Sequence, residues 1–330
     1  MKKRVIKVVT TNSRVNIPRH KRHIVPVNNR RVTYPRTQSQ TTYQPIPVRK
    51  IDHSIEFSAV PGTAKIAFMF LTIESLHQGE RWHQFLDQGR DRATVYCHPK
   101  YPNHIKQKFL QDSIISNRIA TSWANVSLVR ATNNMIAEAL KDPDNQYFML
   151  LSEKCMPLYD FDHTYEQIVE TGKSWIFNYK WTSSPQQNTN RWKALHDRVK
   201  YHPNGLDLEF GQFYKQSQWM LLTRSHAELI VANNHIANQF HRMSAPDEHY
   251  YVNLLRQKIR SFDSEVVNYP ITYVNWKDNS DGSHPLEFNS VNLDKVRNID
   301  ASQYFNQANI KSDQAVHLFM RKVPYNAIIK

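Results

Sequence analysis

The sequence predicts an α/β protein built on a mostly parallel central sheet. Two observations carry that expectation. Lys65–Thr72 and residues 147–152 are continuous apolar runs of strand length, the pattern of strands covered on both faces. Segments with apolar residues at helical spacing lie between such runs, so strands and helices alternate. The 330-residue chain is 40% apolar and aromatic, enough for a sizeable core.

Residues 1–60 stand apart. Residues 1–50 hold 13 Lys and Arg and no Asp or Glu, a net charge of +13. Residues 51–330 hold 30 basic and 29 acidic residues, a net +1, so the +14 of the chain belongs to its first segment. With Pro18, Pro26, Pro35, Pro45 and Pro47 and few apolar residues, 1–60 reads as a basic, largely disordered arm. Short clusters such as Val5-Ile6 and Val8-Val9 would allow a strand there. The remaining 61–330 reads as a single domain.

Lys65–Thr72 is the first strand. Residues 74–88 follow as a helix with Leu76, Trp82, Phe85 and Leu86 on one side. A second strand, 93–98, stops at Pro99. A short helix is expected over 103–112, and a third strand region at Ile114-Ile115 and Arg118-Ile119-Ala120, before Trp123. A helix over 127–141, with Leu128, Met135, Ile136 and Leu140 apolar, leads into the buried strand 147–152. Further on, 174–179 is a strand, and 181–208 is a polar and aromatic loop with acceptor-site potential. A strand at 218–223 precedes a helix at 227–232. Another helix runs from Pro246 to about Arg256. A strand at 271–276, a turn-rich 277–285 and an apolar segment 317–320 complete the pattern. Ligands of such sheets bind at the carboxyl ends of the strands. Thr72, His98, Lys100 and Ser152-Glu153-Lys154 are therefore candidates.

Several chemistries are excluded. With seven glycines and neither a GxGxxG nor a Walker pattern, no glycine-rich phosphate loop is expected. Cys97 and Cys155 form no CxxC and read as free buried thiols, which favours a reducing compartment. No HExxH is present. Asp142-Pro143-Asp144 precedes its strand and Asp160-Phe161-Asp162 comes too late after it, so both pairs read as turn and cap residues rather than metal ligands. No metal or other cofactor is expected. A diphosphate would then need basic side chains, and Arg321 and Lys322 are the candidates. No apolar run approaches the ~20 residues of a membrane helix, and no signal peptide is read. A soluble cytoplasmic or peripherally membrane-bound protein is expected, with residues 1–50 available to an anionic membrane or nucleic acid. The stretch Ala245-Pro246-Asp247-Glu248-His249-Tyr250-Tyr251 gathers two carboxylates, an imidazole and two phenols at a helix start. By itself it fits a capped helix as well as a site.

In order, these segments resemble the core-2/I-branching β-1,6-N-acetylglucosaminyltransferase family (glycosyltransferase family 14), in its plant-type branch, from about Ala64 to Lys322. The motifs are Lys65-Ile66-Ala67-Phe68-Met69-Phe70-Leu71-Thr72, Val95-Tyr96-Cys97-His98, Trp123 before its helix, and Ala139 through Leu158. Gln216-Ser217-Gln218-Trp219, Pro246-Asp247-Glu248-His249-Tyr250, and Tyr273-Val274-Asn275-Trp276 through Gly282-Ser283-His284-Pro285 follow. The resemblance implies a GT-A-like fold, with a nucleotide-binding half at about 61–160 and an acceptor and catalytic half at about 161–330. It implies inverting, metal-independent transfer of a sugar, N-acetylglucosamine or xylose, from a UDP-sugar to a hydroxyl of a glycan or glycoprotein. Glu248 falls on the family's general base, and Lys322, with Arg321 beside it, on the leaving-group lysine. Thr72 and His98 would face the nucleotide. Ser152, Glu153 and Trp219, with Asp247 and Trp276, would line the sugar or acceptor side. Three positions depart from the pattern. Pro99-Lys100 replaces a common acidic residue, Trp123-Ala124-Asn125 replaces a tryptophan-glycine step, and Arg297 is a weak match for an additional arginine of some animal members. A second functional class is a non-catalytic protein on this fold that binds nucleic acid or an anionic surface through its arm.

Overall fold

The computed structural model of the chain describes residues 64–180, 206, 213–241, 243, 245–276, 284–299 and 317–330. The expected basic arm, most of the 181–208 loop and the 277–283 part of the turn lie outside the described residues. In chain order the first half runs β1 (Lys65–Thr72), α1 (Gly79–Gln88), β2 (Ala93–Pro99), α2 (Lys108–Asp112), α3 (Val126–Ala139), β3 (Asn145–Leu151), β4 (Met156–Pro157) and α4 (Phe161–Thr171). The second half holds β5 (Ser174–Trp175), β6 (Asn178–Lys180), β7 (Tyr214–Gln216), β8 (Leu221–Thr223), α5 (Arg224–Ala232), α6 (Tyr250–Lys258) and α7 (Phe262–Glu265). It continues with β9 (Val266–Val267), β10 (Thr272–Val274), β11 (Ser290–Val291), α8 (Leu293–Arg297), β12 (Phe319–Arg321) and β13 (Ile328–Ile329). Among the described residues no helix is long and apolar enough to cross a membrane.

The main sheet has the order β2-β1-β3-β8-β5-β9. β1 is parallel to β2 and β3, β5 is parallel to β9, and β8 runs antiparallel to β3 and β5. All strands but β8 therefore share one direction, the mostly parallel GT-A-like arrangement expected. β2 and β3 flank β1 on opposite sides, so the chain reverses its winding there. A switch point opens at the carboxyl ends of β1 and β3. Both strands are buried nearly along their length, which is why they read as unbroken apolar runs.

A smaller sheet, β10-β12-β4, pairs β12 parallel to β10 and antiparallel to β4. It covers a second apolar cluster around Met156, Leu158, Tyr273, Met320 and Val323. Trp82 of α1 joins the two layers. Its buried indole N–H donates to the Cys155 carbonyl at 2.8 Å. Its ring meets Phe70 of β1 edge-on at 5.0 Å and stacks on Phe319 of β12 at 6.0 Å.

Some elements differ from expectation. α1 begins at Gly79, not at residue 74, because the preceding backbone is engaged elsewhere: Leu76 N donates to Gln107 Oε1 and His77 N to the Glu153 carbonyl. The third strand region does not form. Ile114 makes a single parallel bridge to Cys97, and the Ile119 amide is held by His98 Nε2 at 3.1 Å. Ser116, Asn117 and Arg118 are exposed and interrupt the apolar pattern that a strand would need. The 174–179 strand is divided into β5 and β6, which belong to different sheets. α4 was not anticipated, although its signals are local. Asp160 Oδ1 accepts from His163 N at 2.8 Å, Phe161, Tyr165 and Ile168 face the core, and Gly172 closes the helix at φ 62°. Asp160 thus caps, as expected. Asp142 accepts from Asp144 N, and both carboxylates pair with Lys65 at 3.2 and 3.0 Å.

Two positions in the left-handed region give opposite expectations. At Gly172, φ 62°, an alanine Cβ costs about 1 kcal/mol. Ala124, φ 54°, already bears that cost. Gly172→Ala should lower the denaturant midpoint. Ala124→Gly should raise stability by up to ~1 kcal/mol, partly offset by the greater freedom of glycine in the unfolded chain. Equal midpoints for both variants would show that neither backbone is strained.

Candidate functional site

The site is built where β1, β3 and β12 end. After β3 the chain turns through Ser152-Glu153-Lys154-Cys155. Glu153 ties this turn to the end of β1: Oε2 accepts from Ile73 N at 3.4 Å, and its carbonyl accepts from His77 N at 2.9 Å. The segment after β12 is fixed to the same turn, because Val323 N donates to the Lys154 carbonyl at 2.9 Å. It is also fixed to the β1–α1 loop. Gln78 Nε2 donates to the Pro324 carbonyl at 2.7 Å, and Tyr325 OH to the Ser75 carbonyl at 3.1 Å. The Tyr325 ring stacks on His77 at 3.8 Å.

These contacts put Arg321 and Lys322 at the switch point. The Arg321 guanidinium lies over the Trp219 ring, 4.2 Å from its centroid. Its Nε is out of solvent and has no hydrogen-bond partner. Burial lowers the pKa of Arg321, against the opposing pull of Cys155, Glu153 and Glu287. Burial also lowers that of Lys322, helped by repulsion from Arg321 and Lys154. Lys154 pairs with Glu287, whose carboxyl is held below its ordinary range mainly by that hydrogen bond. The crowded cations, one with an unused donor, are suited to a polyanion.

The other expected residues are placed less uniformly. Thr72 is buried, with its hydroxyl 4.0 Å from Cys97 Sγ, and its carbonyl accepts from Lys100 N at 2.8 Å. His98 is fully buried and anchors Ile119, so its side chain is committed inside the fold. Ser152 is buried against Cys155. Trp219 lies beneath Arg321 rather than open to the crevice, whereas Trp276 is 53% exposed. Arg297 binds the Leu158 carbonyl through Nε at 2.8 Å, a local structural duty. Among the described residues no group of three or more His, Cys, Asp or Glu is arranged to hold a metal ion.

Glu248 arrives on a different device. Ala245, at φ 50°, turns the chain into Pro246, and residues 246–248 make one 3₁₀ turn. Glu248 N bonds back to the Ala245 carbonyl and His249 N to that of Pro246; α6 begins only at Tyr250. The helix expected from Pro246 is therefore two pieces, divided at His249, whose φ of −136° is not helical. Glu248 Oε2 pairs with Lys215 Nζ at 2.9 Å. Lys215 on β7 sits directly opposite Tyr179 on β6. Burial disfavours the Lys215 charge, but the charge and hydrogen bond of Glu248, with Tyr179 and Asp247, outweigh it and raise its pKa. Asp247 does not cap: this turn has no side-chain cap, and Asp247 is 7% exposed with Oδ1 lacking a partner. His249 Nδ1 meets the Tyr214 carbonyl at 3.1 Å, and burial pushes its pKa down to about 3, so this imidazole is neutral.

The two clusters are joined by short lengths of chain. Lys215 and Trp219 are four residues apart, which limits their Cα separation to ~14 Å. Arg321 stands opposite Val274, and Trp276 follows two residues later, ~7 Å along the strand direction. Trp276, Arg321, Trp219, Lys215 and Glu248 therefore form a connected series. Lys154, a strand-end candidate, is joined in the charge pattern by Lys215 and Tyr179, which were not among the expected site residues. Lys154 could be read from its place at the end of β3. Lys215 and Tyr179 could not, because only the β6–β7 pairing brings them together.

Residues 66–305 match the model of the family described as Core-2/I-Branching enzyme. The chain is also similar to a protein named Glycosyltransferase BC10 from Oryza sativa subsp. japonica. The two are 24% identical over 267 residues, which cover 69% of this chain and 63% of that protein. The chain thus spans less than two thirds of that relative's length.

Burial and then the neighbouring Glu248 push the Asp247 carboxyl from 3.8 up to about 7, with its backbone hydrogen bond and Lys215 opposing. Tyr251 faces it from α6. Between those values the folded protein keeps a proton that the unfolded chain releases, so stability falls as pH rises through the window. Asp247→Asn removes the ionisation. Its advantage over wild type in urea unfolding free energy should be larger at pH 8 than at pH 5, by at most about 3 kcal/mol, since about two pKa units of the window lie between them at about 1.36 kcal/mol each. A pH-independent difference between the two proteins would remove the buried-carboxyl account.

Proposed function

The chain belongs to the core-2/I-branching enzyme family, and on that premise we propose that it is an inverting glycosyltransferase. It moves a sugar, N-acetylglucosamine or xylose, from a UDP-sugar to a hydroxyl of a glycan or glycoprotein, with basic side chains in place of a metal ion. The similarity to a protein named a glycosyltransferase supports this reading. The observation that carries it is the Arg321 guanidinium, stacked on Trp219 beside Lys322 and Lys154, with Nε unpartnered at the switch point of the sheet. Cations gathered at the carboxyl ends of parallel strands suit an anionic ligand.

In the proposed reaction, the diphosphate of the donor lies against Arg321 and Lys322. Glu248 is the general base. Lys215 holds its Oε2. The acceptor hydroxyl gives its proton to Glu248 as its oxygen bonds to the anomeric carbon from the face opposite the phosphate. The bond from that carbon to the phosphate oxygen breaks, and its electron pair leaves with UDP. Arg321 and Lys322 stabilise the negative charge that develops there. One displacement inverts the anomeric configuration. Trp276 lies on the acceptor side.

Two variants separate base from binding. Glu248→Gln should lower turnover by about 10²- to 10⁴-fold, with UDP still raising the thermal midpoint. Lys322→Ala should weaken UDP binding by about ten-fold or more. Activity should persist in excess chelator. A wild-type protein that neither binds UDP in a thermal-shift screen nor turns over any UDP-sugar would overturn the transferase reading, and strict dependence on Mn²⁺ would overturn its metal-free form.

A further inference from the structure

Trp123 is 81% exposed, more than any other large apolar side chain described. An isolated exposed tryptophan is common on protein surfaces. This one is held by backbone on its C-terminal side that has no freedom to spare. Ala124 is in the left-handed region at φ 54°. Asn125 Oδ1 accepts from Ser127 N at 2.9 Å and caps α3, while Ser127 Oγ accepts from Ser122 N at 3.0 Å, so the chain is tied on both sides of Trp123. Strain of this kind persists where the surroundings enforce it, and it concentrates at ligand clamps.

Its position relates it to both sides of the transfer site. The His284 ring meets the Trp123 indole edge-on at 6.1 Å. Two residues after His284, Leu286 N donates to the Asn275 carbonyl at 2.9 Å, and the half-exposed Trp276 follows Asn275 directly. On the other side, Tyr251 of α6 donates to the Val129 carbonyl in the first turn of α3 at 3.3 Å. Tyr251 lies three residues after Glu248. α3 thus starts close to the base segment, and Trp123 precedes that start.

We propose that Trp123, braced by His284, is an outer acceptor subsite on which a sugar ring of an oligosaccharide stacks, next to Trp276. The proposal rests on the transferase reading for its ligand class. The apolar C–H face of a pyranose complements an indole face, and a rigid, exposed indole loses little freedom on binding it. A two-tryptophan rim favours an acceptor of several residues over a single sugar. Trp123 then contributes to acceptor affinity at a distance from the bond being made.

The test uses the full chain with β-linked di- and tetrasaccharides of glucose, galactose, xylose and N-acetylglucosamine as probes. Binding is read by saturation-transfer NMR and by quenching of tryptophan fluorescence. At least one tetrasaccharide should bind wild type, and Trp123→Ala should weaken it by about ten-fold. Trp123→Phe should restore most of the affinity, and the thermal midpoint of both variants should match wild type, since the side chain is exposed. With that saccharide as acceptor, the loss in Trp123→Ala should fall on acceptor KM rather than on kcat. Equal saccharide affinity in wild type and Trp123→Ala overturns the subsite. So does a wild type that hydrolyses UDP-sugar but binds none of the probes. A wild type that binds saccharide through Trp123 but neither binds UDP nor hydrolyses any UDP-sugar keeps the subsite and overturns the transferase reading. A wild type with neither property overturns both.

Discussion

The indole of Trp82 is the contact on which the rest of the arrangement depends. Its N–H holds the Cys155 carbonyl, one face packs on Phe319, and its edge meets Phe70. One side chain therefore sets the distance between β1, the turn after β3, and β12. Arg321 and Lys322 follow Phe319 within three residues, so their place at the end of the parallel strands is fixed by packing in the core. The proposed anion site has little of its own holding it together. It is mainly the edge of a well-packed aromatic cluster.

The reversed strand β8 has a similar positional effect. A parallel strand between β3 and β5 would have begun at the far edge of the sheet. Because β8 runs backwards, the residues that enter it, including Trp219, lie on the same edge as the carboxyl ends of β1 and β3. The residue that follows it, Arg224, is at the opposite edge, where it binds the Leu140, Asp142 and Asn145 carbonyls and closes the α3–β3 connection. Charge is thus divided by strand direction: one arginine near this strand stabilises a loop, and another, stacked on its entry, is left with an unused donor. Glu248, paired with Lys215 of β7, sits in the turn after Ala245, outside a regular helix.

Much of this was legible in the sequence where a local rule decides the outcome. β1 and β3 are buried on both faces and contain little but apolar residues, so their identity and order could be read directly. The turn role of Asp142 and Asp144 followed from their position before a strand. Glu248 was singled out through an ordered family pattern, not through its surroundings. What could not be read depends on residues distant in sequence. Trp219 was expected to line a sugar, and its stacking with Arg321 requires β8 and β12 to be in place. His98 was recognised as a strand-end polar residue, but its inward direction is set by the 114–120 segment that covers it. Asp247 looked like a cap because acidic residues at helix starts usually are; a left-handed Ala245 rotates it into the interior instead. Ala124 shows the converse, since its departure from a tryptophan-glycine step marks a backbone conformation that glycine would accept more easily.

The closure of the crevice by its last contributors has a consequence for synthesis. Tyr325 and Ser75 meet across 250 residues of sequence, and Gln78 and Pro324 across 246. Such long-range contacts are made late, because loop closure must precede any gain from them. A chain still on the ribosome that has not yet released residues 319–325 has both parallel strands and the base segment, but one face of Trp82 is uncovered and Arg321 and Lys322 are missing. That intermediate exposes aromatic surface. The segment that carries Arg321 and Lys322 also covers the last open face of the core, so the protein gains these cations and becomes less prone to aggregate in one step.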